Sequence, residues 1–273
     1  MNILVCFKVV PDLDLMPGGD WNVDSRLRVE TGYVKNIINP YDESALEIAL
    51  QFADKADDDQ CSPGLTALTI GDSKANLHLK TLRALSFDRA VRIDSKEDLR
   101  FRPETCAALI SAYINKIGKN NVVIMGRQSG VGDNAQTPLI CAEMMGWPCI
   151  TQVSSIEPAA GACLRVTNLV DDGTCRQTIE PPCILAIGNA PNSYLRVPTL
   201  KDIKAHGQKP VEVIDAAVLM ATGGQPALPG GCELLGIEAI DRRRSGIIIE
   251  GETAAEKTQA LYYSYLKGWL AGI

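Results

Sequence analysis

A chain of 273 residues with 46% apolar and 22% charged side chains can bury a substantial core, as one large domain or one domain with an extended arm. Its net charge of -6 works against a nucleic-acid partner, because phosphate backbones recruit basic faces. No apolar run reaches the roughly 18 residues needed to cross a bilayer, so membrane insertion is not expected.

The opening MNILVCFKVV reads as a first strand over residues 3–7 rather than as a targeting segment. Apolar strand-like runs recur at 65–70, 90–93, 122–125 and 149–153, and between them 41–53, 74–85 and 103–117 carry apolar residues at helical spacing. Strands alternating with helices predict an α/β fold, a doubly wound and mostly parallel sheet covered on both faces. Ligands of such sheets bind beyond the carboxyl ends of the strands, at a switch point. Residues 163–180 read as a hairpin around Asp171-Asp172-Gly173, and 183–187 as a further buried strand. After Gly188 the character changes: 189–199 is loop-like, 200–205 suits a short helix, and 215–231, rich in Gly, Pro and Ala, reads as a linker or draped segment. The expected division is therefore 1–190 as the α/β domain and 191–273 as an extended arm. The arm closes with a helix over about 253–270, whose Leu261, Tyr262, Tyr265, Leu266 and Trp269 form an aromatic stripe next to the basic Arg242-Arg243-Arg244. That stripe suits packing on its own core or on another subunit equally.

Nine cysteines are scattered without a CxxC pair, and there are only two histidines, so neither a metal site nor a disulfide framework is expected. Cys6, Cys141 and Cys183 lie in apolar runs as small hydrophobes, and the pattern suits a reducing cytoplasm. His78, on a polar helix face, is expected to be exposed, and His206 lies in a surface-like stretch beside Lys204 and Lys209.

The most informative stretch is MGRQSGVGDNAQTPLICAEMMGWPCI, beginning at Met125. A β-branched strand runs into a polar, glycine-rich loop (Gly126, Ser129, Gly130, Gly132, Asp133, Asn134), and 138–145 then reads as a helix. Unpaired amides and the helix dipole make such a loop fit for a phosphate; the plainer reading is a βα turn with Asp133 or Thr137 as the N-cap. It matches neither GxGxxG nor GxxxxGK[ST], and the chain has no GxSxG or HExxH. A nucleotide-shaped site without an acid, base or nucleophile suits a protein that holds a cofactor whose own chemistry does the work, so no catalytic residue is assigned.

Several landmarks resemble the β subunit of electron transfer flavoproteins, in particular FixA-like members. Lys8-Val9-Val10-Pro11-Asp12 is similar to that family's K-x-V-P-D, and Asn39-Pro40-Tyr41-Asp42-Glu43-Ser44-Ala45 to its N-P-[FY]-D-E-x-A helix start. Thr69-Ile70-Gly71 falls at its second nucleotide-facing strand end, and Gly126-Arg127-Gln128 with Gly132-Asp133-Asn134-Ala135-Gln136 resembles G-[RK]-Q…G-D-[TS]-[AG]-Q. Arg196-Val197-Pro198-Thr199-Leu200 is similar to R-[YF]-P-[ST]-L, the loop that meets partner dehydrogenases.

The resemblance implies a Rossmann-like, adenine nucleotide α-hydrolase-like fold and a heterodimer with an α subunit that carries FAD. The β subunit would hold AMP, or a second FAD as in electron-bifurcating members, which Ala135 and Ala142-Glu143 resemble more. Cys6 and Lys8 would border the adenine, Asn39, Pro40, Tyr41 and Asp42 would line the adenosine, and Ile70 and Gly71 would close the pocket. Gly126, Gln128 and Gly132 would shape the phosphate loop, with Asp133, Asn134, Ala135, Gln136 and Thr137 as its cradle. Arg196, Pro198 and Leu200 would form the docking loop. The implied role is to shuttle electrons from a flavin dehydrogenase to a quinone- or ferredoxin-linked acceptor. The chain departs from the family at Ser129-Gly130-Val131, where an acidic residue is usual, at Thr137-Pro138-Leu139, and at 205–209, where lysines are thinned. The competing expectation from another class is an adenine-nucleotide sensor of the universal-stress type.

Overall fold

The strand β1 (Asn2–Cys6) takes the centre of a nine-stranded sheet because its alternating side chains are apolar on both faces. Ile3 and Val5 belong to one buried cluster and Leu4 and Cys6 to the other. The computed structural model describes residues 1–57, 63–118, 121–132, 134–191, 194–223, 232, 234–238 and 246–271. After β1 come a small antiparallel pair, β2 (Val9–Pro11) and β3 (Asn36–Ile38), then α1 (Pro40–Asp57), β4 (Gly64–Ile70), α2 (Asn76–Ala84), β5 (Arg89–Asp94), α3 (Pro103–Ile117), β6 (Asn121–Gly126) and α4 (Thr137–Met145). The chain continues through β7 (Cys149–Pro158), β8 (Leu164–Val170), β9 (Gly173–Ile179), β10 (Cys183–Ile187), α5 (Leu200–His206), β11 (Glu212–Asp215) and α6 (Ala216–Gly223).

The sheet order is β11-β5-β4-β1-β6-β10-β7-β8-β9, parallel from β11 to β7, with the β8–β9 hairpin added antiparallel. Leu46 and Phe52 of α1 and Leu79 and Leu82 of α2 cover one face, while Tyr113 of α3, Cys141 of α4 and Leu219 of α6 cover the other. The sheet is thus doubly wound, as expected. From β1 the chain winds outward through β4 and β5, and α3 then carries it back to β6 on the opposite side of β1. The switch point is the crevice at the carboxyl ends of β1 and β6.

Several expectations need correction. The segment from 215 is not a linker throughout: Glu212–Asp215 adds an edge strand to β5, and Ala216–Gly223 is a helix packed on α3. Asp215 caps it, its carboxylate accepting the N–H groups of Ala217 (2.9 Å) and Val218 (3.1 Å). Residues 224–231 of the expected linker, and Arg242, Arg243 and Arg244, lie outside the described residues. Strand β7 runs on to Pro158 because β8 gives its second half a partner. His78 is half-buried rather than exposed; burial pulls its imidazole below the ordinary value, against a hydrogen bond to the Asn36 backbone.

The chain divides into two units, Met1–Gly236 and Ile237–Ile273, so the first body runs on well past residue 190. The second contains α7 (Ala254–Leu261), a π-helical turn (Tyr262–Leu266) and α8 (Lys267–Leu270), started by Thr253, whose hydroxyl accepts the Glu256 N–H at 3.2 Å. Its Leu261, Tyr262, Tyr265, Leu266 and Trp269 are exposed. Among the described residues no helix is long and apolar enough to cross a membrane.

Candidate functional site

Three chain segments meet at the switch point around one carboxylate. Pro40 starts α1 with φ already suited to a helix, and Asp42 and Glu43 put acidic charge on its positive end. The Asn39 carbonyl accepts the N–H groups of both acids at 2.9 Å. Asp42 is only 6% exposed, and its Oδ2 accepts the Lys8 N–H (2.9 Å) and Asn39 Nδ2 (3.0 Å), while Oδ1 accepts the Gly126 N–H (2.8 Å). Burial pushes the Asp42 carboxyl up to about 6, against those same hydrogen bonds, which favour the charged form. The end of β1, the start of α1 and the end of β6 are thereby fastened to one another.

The phosphate-type loop hangs from this clamp. Asn39 Nδ2 also donates to the Gln128 carbonyl (2.8 Å), and Lys8 Nζ donates to the Val131 carbonyl (2.7 Å). Position 126 has to be glycine: an added Cβ would lie 2.5 Å from Asp42 Oδ1, 2.7 Å from Tyr41 Cβ and 2.9 Å from the Asp42 nitrogen. Gly132, at φ +89°, turns the loop where other residues are strained. Ala135 holds φ +52° without being glycine. Gln136 stands at the N-cap of α4 with no side-chain cap bond, so Thr137 is the first helical residue and not the cap. Asn134 Oδ1 instead accepts the Gln136 N–H at 3.4 Å. Asp133 lies outside the described residues.

The other expected residues fall on the same rim. Cys6 ends β1, buried, and burial drives its thiol well above the ordinary range, which makes it a packing residue rather than a nucleophile. Ile70 and Gly71 end β4 on the far side of β1. Tyr41 lies under the Arg127 guanidinium, 5.5 Å from ring centre to Cζ. A cleft of about 140 Å³ opens alongside, lined by Arg127, Gln128, Ala135 and Leu139 from the loop side and by Thr151 and Gln152 of β7. Among the described residues no His, Cys, Asp and Glu side chains group so as to hold a metal ion, and the cysteines are unpaired.

Sequence reasoning missed two supports. Arg92, buried in β5, donates from Nη1 to the Gly71 carbonyl (2.9 Å) and from Nε to Asn76 Oδ1 (3.0 Å), and pairs with Asp94, so it braces the carboxyl end of β4. Its signal was an arginine inside the apolar run Ala90-Val91-Arg92-Ile93. Arg127 is the second support: its N–H extends the β6–β10 ladder to the Ile187 carbonyl (2.9 Å).

The residues of the expected docking loop stand apart from this rim. Arg196 is spent on α1, bonded to Glu47 (2.9 Å from Nη2) and Asp54 (2.7 Å from Nη1). Pro198 is half-buried beside a groove of about 660 Å³ at the amino end of β4. Leu200, by contrast, is 79% exposed, with Val197 and Tyr194 exposed nearby.

A mostly parallel, doubly wound sheet with a clamped, glycine-shaped loop at its switch point defines a Rossmann-like α/β protein. The electron transfer flavoprotein domain matches residues 26–219 of the chain. A putative electron transfer flavoprotein subunit, YgcR, of Escherichia coli (strain K12) is 30% identical over 98% of both chains. A probable electron transfer flavoprotein subunit beta of Saccharomyces cerevisiae is 30% identical over 80% of both chains, and the acryloyl-CoA reductase electron transfer subunit gamma of Anaerotignum propionicum is 31% identical over 80% of this chain and 79% of its own. The chain belongs to the electron transfer flavoprotein family, as a β-type subunit with an electron-transfer role. A stress-type nucleotide sensor is not favoured.

Proposed function

We propose that this chain holds an adenine nucleotide, AMP or the adenylate half of an FAD, in the crevice at the ends of β1, β4 and β6, while a companion α subunit carries the FAD that exchanges electrons with a partner. The observation that carries the reading is the clamp around Asp42, which sets the loop after Gly126 beside the start of α4, whose N-cap residue Gln136 makes no side-chain cap bond. The residues also fit the group chemically. Asn39 is 1% exposed, and its Oδ1 is a buried acceptor without a partner among the described residues, the kind of atom an adenosine amine or hydroxyl satisfies. Asn39, Tyr41, Ile70 and Gly71 would hold the adenosine, and the amides around Gly132 and Asn134–Thr137 would hold the phosphate. The family resemblance adds Asp133 to that set, although it lies outside the described residues.

The bound flavin supplies one- and two-electron chemistry, and this chain positions it and shields it from water. Electrons pass from a flavin dehydrogenase, met through Leu200 and its neighbours, to a quinone- or ferredoxin-linked acceptor, in a reducing cytoplasm. The exposed apolar cluster of Leu200, Val197 and Tyr194 supports that docking role. Ala135 and Ala142-Glu143 follow the pattern of members with a second FAD.

The test is to co-express the chain with an α subunit, purify the heterodimer, denature it and quantify what is released. More than one flavin per pair supports FAD in this chain. One flavin with one AMP assigns AMP to the site. Release of neither nucleotide overturns the reading.

A further inference from the structure

The docking loop is more tightly built than an exposed loop needs to be, and its anchor is a buried carboxylate. Glu47, on the second turn of α1, is buried, and its two oxygens accept from Arg196 four times: from the backbone N–H (3.0 Å), from Nε (3.2 and 3.1 Å) and from Nη2 (2.9 Å). Gln51 Nε2 adds a further donor at 3.1 Å. Burial alone would push the Glu47 carboxyl up; the bonds from Arg196 and Gln51 outweigh it and hold the group below its usual value. One residue earlier, the Leu195 backbone N–H bonds to the Glu43 carboxylate. At the far end Thr199 and Asp202 form a reciprocal capping box, with the Asp202 N–H on Thr199 Oγ1 (3.2 Å) and the Thr199 N–H on Asp202 Oδ2 (3.1 Å). Residues 195–199 are therefore pinned at both ends, and Val197 and Leu200 stand out between and beside the pins.

We infer that Glu47 is a positioning residue for electron transfer: through Arg196 it fixes the bend that presents Leu200 and Val197 to the partner protein, and Arg196 serves as an internal strut rather than as a charge offered across the interface. The inference rests on the docking reading given above. A planar guanidinium on a buried carboxylate, with a backbone N–H on the same group, leaves the bend little freedom, and a rigid loop loses less entropy on docking.

The experiment uses the flavin-loaded heterodimer carrying Glu47→Gln, with Arg196→Lys as a second variant that keeps the charge and loses the fork. Hydrogen exchange should quicken on the order of tenfold in peptides covering 194–203, with peptides from β1 and β6 and the nucleotide content as in the parent. With a flavin-containing acyl-CoA dehydrogenase as electron donor, KM for the heterodimer should rise on the order of tenfold at little change in kcat. In the double variant Glu47→Gln/Leu200→Ala the rise should be close to that of Leu200→Ala alone, because both act through one contact. Unchanged exchange at 194–203, or loosening spread across the sheet, overturns the proposal. So does local loosening with an unchanged KM while Leu200→Ala is slowed. If Leu200→Ala is as fast as the parent, the docking reading falls, and the exchange data alone decide whether Glu47 anchors the loop. Should Glu47→Gln fail to assemble, the same outcomes are read from Arg196→Lys.

Discussion

At the scale of single residues, Asp42 concentrates the most consequence in the fewest atoms. Its carboxyl titrates at about 6 in the folded chain, against an ordinary value of 3.8. Between those two pH values the folded chain keeps a proton that the unfolded chain has released. This group's contribution to stability therefore falls as pH rises from about 4 to about 6, by about 3 kcal/mol in all, and is level above that. Asp42→Asn removes the titration, and its amide nitrogen cannot accept the Lys8 or Gly126 N–H. Urea unfolding of nucleotide-free parent and variant at a series of pH values should show the parent losing ground relative to the variant from pH 4 to 6; a difference independent of pH would mean that Asp42 does not titrate in that window. The motif around Asn39 and Asp42 was legible in the chain, whereas the need for glycine at 126 appears only where its backbone meets Asp42 and Tyr41. What was not legible is that the carboxylate of the first turn closes on residues 34 and 84 positions away. Arg92 was hidden for a related reason: a buried arginine is tolerable only with its acceptors, and those come from Gly71, Asn76 and Asp94.

Among the secondary-structure elements, the helix–strand alternation through β6 followed from periodicity, because each element carries its own apolar stripe. The elements that escaped are those whose stability is borrowed. β11 is four residues with only Ile214 buried, and it exists because β5 offers it an unpaired edge. α6 has eight residues, below what holds an isolated helix, and it stands because Asp215 caps it and Leu219 is buried against α3. Leu219→Ala should therefore cost about 2–5 kcal/mol in urea unfolding. A cost typical of an exposed helix position, within about 0.5 kcal/mol, would mean that the segment is the draped chain its composition implies. The docking loop shows the same division. R-x-P-x-L was readable as a motif, whereas the attachment of its arginine to Glu47 on α1, 149 positions earlier, was not.

For the whole molecule, the two buried clusters lie within Met1–Gly236, and among the described residues no core side chain comes later than Leu219. A chain ended at Gly236 should melt within about 2 °C of the full chain. We expect it to fail to co-purify with an α subunit, since the exposed Tyr262, Tyr265 and Trp269 are lost. A large drop in melting temperature would show that the arm stabilises the body; full retention of assembly would move the subunit interface elsewhere. The α/β class and the family could be read from the amino acids alone, since each depends on local spacing or on short motifs met in order. Which strand neighbours which, where the switch point falls, that one carboxylate ties three segments together, and that Arg196 is held on α1 by Glu47 and Asp54 were decided only on folding. These features depend on pairing groups far apart in the chain, and linear order does not encode the partner that a buried polar atom will find.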